Sequence, residues 1–245
     1  PRVSPMASVM ERIGVTDVRI TYSRPGVKGR KIWGDPLPEQ AAKVKGEATL
    51  DNQNERPKDA VIVPYGHVWR AGADDATTFV VSDDVLINGQ KLAAGSYSLH
   101  TIPTKDEWTL VFNGEANQWG SFNYDATKDT LRVKVKPQTV AENQEWLAYV
   151  FEPTGEDSAQ VNIRWEKISV PFTIKVPDVP ATTVARIKRD VANAKPGDWV
   201  TLMQAGNFLI NNKDTSDDAQ GMAWLDQSIK VKETFRNLSA KANAL

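Results

Sequence analysis

Val85-Leu86-Ile87-Asn88-Gly89-Gln90-Lys91-Leu92 reads as a β-hairpin in eight residues. Asn-Gly readily takes the two positive φ angles of a type I′ turn, so the arms on either side predict a pair of antiparallel strands. Outward from this hairpin the β pattern continues in both directions. Upstream lie Val61–Val63, Val68–Arg70 and Thr77–Val81; downstream lie Ser96–Ile102 and Trp108–Phe112, separated by a proline-containing polar turn. Leu131, Val133 and Val135 alternate with Arg132, Lys134 and Lys136, which predicts a strand with the aliphatic face buried and Lys134 and Lys136 in water. Glu145–Phe151, Gln160–Trp165 and Lys167–Val176 complete the set, and near the N-terminus Val9–Ile13 and Asp17–Tyr22 flank Gly14 as two more strands. Many short strands with no helical period between them predict a mainly β chain, an antiparallel β-sandwich or flattened barrel over residues 1–176. Residues 35–60 are polar and carry three prolines near their ends, so they read as an excursion from that core.

The period changes at Val176-Pro177-Asp178-Val179-Pro180, where two prolines end the last strand. Thr182 or Thr183 is the expected cap of a helix running to Lys195, and Pro196-Gly197-Asp198 breaks the chain again. Trp199, Leu202, Met203, Gly206 and Ile210 fall at helical spacing, as do Ala219, Met222, Ala223, Ile229 and Phe235. Residues 177–245 therefore predict one helix followed by an α-helical hairpin. The WxxLMxxG pattern from Trp199 and AWLDQSI at 223–229 weakly resemble a single tetratricopeptide unit, and one unit alone makes no solenoid.

Thirty basic and thirty-one acidic residues in 245 leave a formal charge of −1, so no global field draws the chain to nucleic acid. Cysteine is absent and there are two histidines, which excludes disulfides, thiolate nucleophiles and thiolate zinc sites. No metal and no cofactor is expected. No run approaches the roughly 18 apolar residues of a membrane span. A chain beginning at Pro1 without methionine gives the expectation of a processed N-terminus from which an export signal has been removed.

Two stretches carry the candidate chemistry. SRPGVKGRKIWG, residues 23–34, places Arg24, Lys28, Arg30 and Lys31 among three glycines, a pattern that suits an anion cradle, although the preferred reading is that these arginines brace the neighbouring acidic stretch and cap strand-end carbonyls. VPYGHVWRAGADDATT, residues 63–78, crowds His67, Trp69, Arg70, Asp74 and Asp75 beside glycines. His67 and Asp74 are the candidate catalytic groups, although no nucleophile motif accompanies them. Trp33, Trp69 and Trp119 sit in loop-like contexts where an indole either stacks on a sugar or plugs the end of a sandwich, while Trp108, Trp146 and Trp165 on strands belong to the core. His100 reads as an ordinary residue of an alternating strand.

Together with DVLINGQKLAAGSYSLHTIP, EWTLVFN, QWGSFNYD and DTLRVKVKP, these stretches resemble the bacterial domain-of-unknown-function family numbered 2911, over roughly Ser4 to Val176. The resemblance implies an exported, extracytoplasmic protein of the periplasm or cell envelope, commonly with a helical tail and with no established activity. Its recurring positions fall on Arg24, Lys28, Arg30, Trp33, Trp69, Arg70, Asp74, Trp119 and Gly120. The expected function is a binding or interaction module for a small anionic or sugar-like ligand. Its rivals are a hydrolase-like enzyme using the cluster around His67, Arg70 and Asp74, and a scaffold whose C-terminal helices hold a protein partner. Opposite charges on the two stretches further predict that 24–33 packs against 69–74, with Arg24 or Arg30 paired to Asp74 or Asp75.

Overall fold

The computed structural model describes residues 3–50, 57–212 and 216–245. In chain order the strands are β1 (Met6–Ile13), β2 (Thr16–Ser23), β3 (Trp33–Gly34), β4 (Val63–Pro64), β5 (Ala73–Val81) and β6 (Val85–Ile87). There follow β7 (Gln90–Leu92), β8 (Gly95–Pro103), β9 (Trp108–Asn113), β10 (Asp129–Val135), β11 (Gln138–Gly155) and β12 (Ser158–Lys175). A six-stranded sheet has the order β1-β2-β5-β8-β9-β10 and a four-stranded sheet the order β11-β12-β6-β7; every ladder in both is antiparallel. Both sheets are open at their edges, so the architecture is a sandwich and not a closed barrel. Across the interior, Tyr22 of β2 meets Tyr149 of β11 edge-on at 4.6 Å, and Phe112 of β9 meets Phe172 of β12 at 6.5 Å. Ile20, Phe79, Leu99 and Leu110 from one sheet and Leu147, Val161, Ile174 and Ile87 from the other are fully buried. Each such side chain contributes about 1.5–3 kcal/mol by leaving water.

The opening hairpin forms as its sequence predicts. Ile87 pairs with Gln90, and Asn88 and Gly89 take φ of 45° and 82°. The Asn88 Oδ1 also accepts from the main-chain N–H (2.7 Å) and hydroxyl (3.0 Å) of Thr173, which fastens the turn to β12. In β10 Val133 and Val135 are buried and Lys134 and Lys136 exposed, so the predicted register holds; Leu131, next to an irregularity at its start, is only half-buried. The excursion after β3 contains one short helix, α1 (Pro38–Ala41), and returns to the fold: Val68 N–H donates to Glu47 O at 2.9 Å, and Leu50 is buried. Residues 51–56 of that excursion lie outside the described residues.

A second compact unit spans Asp178–Leu245, after a first of Pro1–Pro177. It holds α2 (Val179–Ala192), α3 (Trp199–Asn211), α4 (Asp218–Val231) and α5 (Phe235–Asn243). Where one helix and a hairpin were expected, four helices form, because Thr234 caps a new helix at its Asn237 N–H instead of letting α4 run on through Phe235. The cap of α2 is Asp178, which accepts from Ala181 N–H, and not Thr182 or Thr183. The α3 and α4 backbones approach closely at Gly206 and Gly221: a Cβ on Gly206 would stand 2.6 Å from the Gly221 carbonyl. Leu209, Ala205 and Trp224 form the buried centre of this unit. Among the described residues no helix is long and apolar enough to cross a membrane.

Candidate functional site

The two stretches are joined first by backbone. Residues 32–34 run beside β4, with Val63 N–H donating to Ile32 O at 2.8 Å and Tyr65 N–H to Gly34 O at 2.7 Å. Trp69 exchanges two main-chain hydrogen bonds with Thr101 of β8, of 2.8 and 2.9 Å. Both connections turn an indole inward. Trp33 meets Trp69, Trp108 and Trp165 at ring separations of 5.7, 5.0 and 5.5 Å, and Trp69 stacks on Trp165 with the planes 15° apart. Trp33 and Trp69 thus belong to a four-indole core with Trp108 and Trp165, in which Trp69 stacks on Trp165 and Trp33 meets the other three edge-on.

Beyond Trp69 the edge of β5 bulges. Ser23 pairs with Ala73 and Thr21 with Thr78, so residues 74–77 stand opposite Tyr22 alone. Ala71 and Asp74 take left-handed φ of 51° and 58°. The Ala71 carbonyl holds this shape by accepting from the hydroxyls of Tyr149 (2.8 Å) and Thr77 (2.9 Å). Burial pushes the Tyr149 phenol well above the usual range, which keeps it a donor. Arg70 Nη1 donates to the Asp74 main-chain carbonyl at 2.7 Å, and its guanidinium lies 5.4 Å from the Phe122 ring centre. On its other side is Gly120, at φ 60°, where a Cβ would come within 2.6 Å of Arg70 Cζ. Glycine is required there twice over, by conformation and by space.

The opposite loop hooks onto the start of the core of β11. Val27 N–H donates to Glu145 O, Leu147 N–H to Pro25 O, and Lys28 N–H to Glu145 Oε1 at 2.9 Å. The Lys28 ammonium lies 5.6 Å from the Trp146 ring centre. Arg24 Nε donates to the Leu147 carbonyl at 2.8 Å, while Arg30 donates through Nε to Val27 O and through Nη2 to Gly26 O. The expected pairing of Arg24 or Arg30 with Asp74 or Asp75 is corrected accordingly. These guanidiniums satisfy strand-end and loop carbonyls that the chain leaves without ladder partners, and it is Arg70 that reaches Asp74.

Between the two stretches lies a cleft of about 290 Å³. One wall is Pro25, Gly26, Lys28 and Arg30; the other is Trp69, Arg70, Gly72 and Asp74. Three cations and one carboxylate therefore face a common space. Asp74 Oδ2 is buried and has no hydrogen-bond partner.

The remaining sequence-selected residues lie elsewhere. Asp75 and Trp119 line a second cleft of about 260 Å³ with Gln118. Trp119 is 47% exposed, which makes it the one of the three loop indoles that stays at the surface. His67 is buried, its Nδ1–H donating to Ala48 O at 2.8 Å, and it does not line the cleft between the two stretches. His100, read as an ordinary residue of an alternating strand, is fully buried, its ring nitrogens 3.1 Å from Ser121 Oγ and 3.0 Å from Ser98 Oγ. It sits beside a small second core of Val68, Ile102 and Val111, with Tyr124 packed on it. Phe122 and Tyr149, which position Arg70 and Ala71, carried no signal in the sequence. Among the described residues no group of three or more His, Asp or Glu side chains is placed to hold a metal ion.

A β-sandwich with a basic cleft at one bulged strand thus defines the first unit. The model of the protein family of unknown function DUF2911 matches residues 4–174, and the chain belongs to that family. The match takes in every residue of the cleft wall from Ser4 to Asp74 and stops short of α2. No curated protein and no solved structure matches the chain.

Proposed function

We propose that the β unit is a binding module whose cleft takes a small anionic ligand between residues 25–30 and 69–74. The observation that carries this reading is the convergence of Lys28, Arg30 and Arg70 on one 290 Å³ space that holds a single carboxylate. Arg70 is held in place by Asp74 O, the Phe122 ring and the glycine surface at 120, and Arg30 by two carbonyls. Little side-chain freedom is lost when such groups meet a ligand, and a fixed guanidinium matches an oxyanion's geometry. Of the two candidate catalytic groups Asp74 lines this space and His67 is tied to Ala48 O outside it, so the two do not act together there, and the cationic lining favours binding. The family resemblance supports an extracytoplasmic setting, which fractionation of the native source tests.

Calorimetric titration of the full chain with phosphate, sulfate, sulfonate and sugar-acid anions tests the reading. At least one should bind, more weakly as salt rises. A Lys28→Ala/Arg30→Ala variant should lose that binding while it remains folded, its urea midpoint lowered only by the loss of the Arg30 hydrogen bonds to Val27 O and Gly26 O. Failure of every anion to bind, or loss of binding only where the variant is unfolded, would remove the proposal.

A further inference from the structure

We infer that the second cleft is a site for a neutral sugar, which stacks its ring on Trp119 and bonds its hydroxyls to Asp75, Asn117 and Thr78. Of the eight tryptophans Trp119 alone is exposed, at 47%, and the rest are buried or half-buried. It lines a space of about 260 Å³ together with Asp75 and Asn117, both exposed, and the half-buried Thr78. All four residues reach solvent, so a ligand meets them without opening the fold. The wall is also held still. Ala76 N–H donates to Gln118 O at 3.0 Å, and Gln118 Nε2 donates to Ser98 Oγ and to Glu115 O, both at 3.1 Å. On the other side of Trp119 in the chain, Gly120 packs against the Arg70 guanidinium. The indole therefore stands on a turn fixed at both flanks, and little order is lost when a ring settles on it.

The lining selects among ligand classes. Among the described residues it includes one carboxylate and no basic side chain, so it draws no anion. It has no lining residue in common with the cleft of Lys28, Arg30 and Arg70, and it stands whether or not that cleft binds. The π face of an indole is negative and attracts the outward C–H bonds of a pyranose ring. Sugar hydroxyls both donate and accept, which matches the acceptor-only carboxylate of Asp75, the donor and acceptor of the Asn117 amide and the Thr78 hydroxyl. An organic cation also favours an indole face, but it offers no acceptor to the amide and is commonly held in a cage of several aromatic rings. Trp119 is the one aromatic side chain among the described residues of this lining.

Nuclear magnetic resonance titration of the full chain with methyl glucoside, methyl galactoside, methyl mannoside and N-acetylglucosamine tests this. Sorbitol serves as a polyol without a ring and tetramethylammonium as a cation. At least one pyranose should give saturable shifts at the Trp119 indole N–H and the amides of Asp75, Ala76, Asn117 and Gln118, and sorbitol should bind at least about tenfold more weakly. Trp119→Ala should weaken binding of that sugar at least about tenfold, while Trp119→Tyr, which keeps a ring, should retain part of the affinity. Asn117→Ala, at an exposed position, should weaken it several-fold and is the second variant should loss of the indole unfold the loop. No saturable shift with any of these sugars would overturn the inference, as would sugar shifts confined to the amides of residues 26–30 and 70–74. So would sorbitol binding as tightly as the pyranoses, binding of tetramethylammonium alone, or unchanged affinity in folded Trp119→Ala or Asn117→Ala chains.

Discussion

Replacing Gly120 with alanine tests the packing that positions Arg70. The added Cβ would sit 2.6 Å from Arg70 Cζ and 2.8 and 2.9 Å from its two terminal nitrogens, so the guanidinium must move. Alanine at φ 60° itself costs roughly 1–2 kcal/mol. Moving the guanidinium forfeits its 2.7 Å hydrogen bond to Asp74 O, worth about 1.5–3 kcal/mol for a charged donor, and the Phe122 contact, worth ~0.5–1 kcal/mol. Arg70 is partly exposed and regains water when displaced, so the lower part of that range applies and the expected total is ~3–4 kcal/mol. The assay is urea unfolding followed by tryptophan fluorescence, in a cycle with Arg70→Ala. With Arg70 truncated, Gly120→Ala should cost only the conformational ~1–2 kcal/mol. Equal costs in the two backgrounds would show that the guanidinium does not press on Gly120, and the account of this wall would be wrong.

Tyr149→Phe should cost about 1 kcal/mol by removing a buried donor from the Ala71 carbonyl, read as a lower urea midpoint. Because burial raises the Tyr149 pKa above its unfolded value, the stability it contributes is present below pH ~10 and is lost as pH rises beyond it; the phenylalanine variant should show a shallower alkaline decline. Asp198, the cap of α3, has its pKa lowered by hydrogen bonds from the Thr201 N–H and hydroxyl. Its contribution is therefore present above the unfolded pKa and lost as pH falls through the lowered folded value, so Asp198→Asn should flatten the acid limb of helix melting seen by circular dichroism. Gly206→Ala should lower the melting temperature of the helical unit, since overpacking against Gly221 O costs ~1–3 kcal/mol against a helix-propensity gain of ~1 kcal/mol. An unchanged or higher melting temperature would mean that α3 and α4 are not in backbone contact there.

How far the sequence reached differs with the kind of force involved. Asn88-Gly89 and the alternation at Leu131–Lys136 were readable because turn conformation and period-2 burial are written in residue types. That residues 24–33 meet 69–74 holds, with Lys28, Arg30, Trp69, Arg70 and Asp74 gathered on one cleft, although the ion pair of Arg24 or Arg30 with Asp74 or Asp75 that motivates the expectation does not form. The reading of these arginines as caps of carbonyls holds for Arg24 and Arg30, but which carbonyls they reach was not legible, because that depends on where the strands and loops leave them exposed. The burial of His100, read as an ordinary residue of an alternating strand, was not legible for a related reason: Ser121 and Tyr124, distant in sequence, lie over its ring. Trp33 and Trp69 looked like loop residues because β3, β4 and the Trp69 bridge are too short to leave a periodic trace.

The central claim is that a small anion binds between Arg30 and Arg70. It is tested most directly by a nuclear magnetic resonance titration of the full chain with isethionate, following the arginine Nε–H signals and the backbone amides. The account predicts saturable shifts at Arg30, Arg70 and the amides of residues 26–30 and 70–74, with those of Asn117, Gln118 and Trp119 unmoved. Shifts confined to the second cleft at Gln118 and Trp119, or none at Arg30 and Arg70 at saturating isethionate, would contradict it.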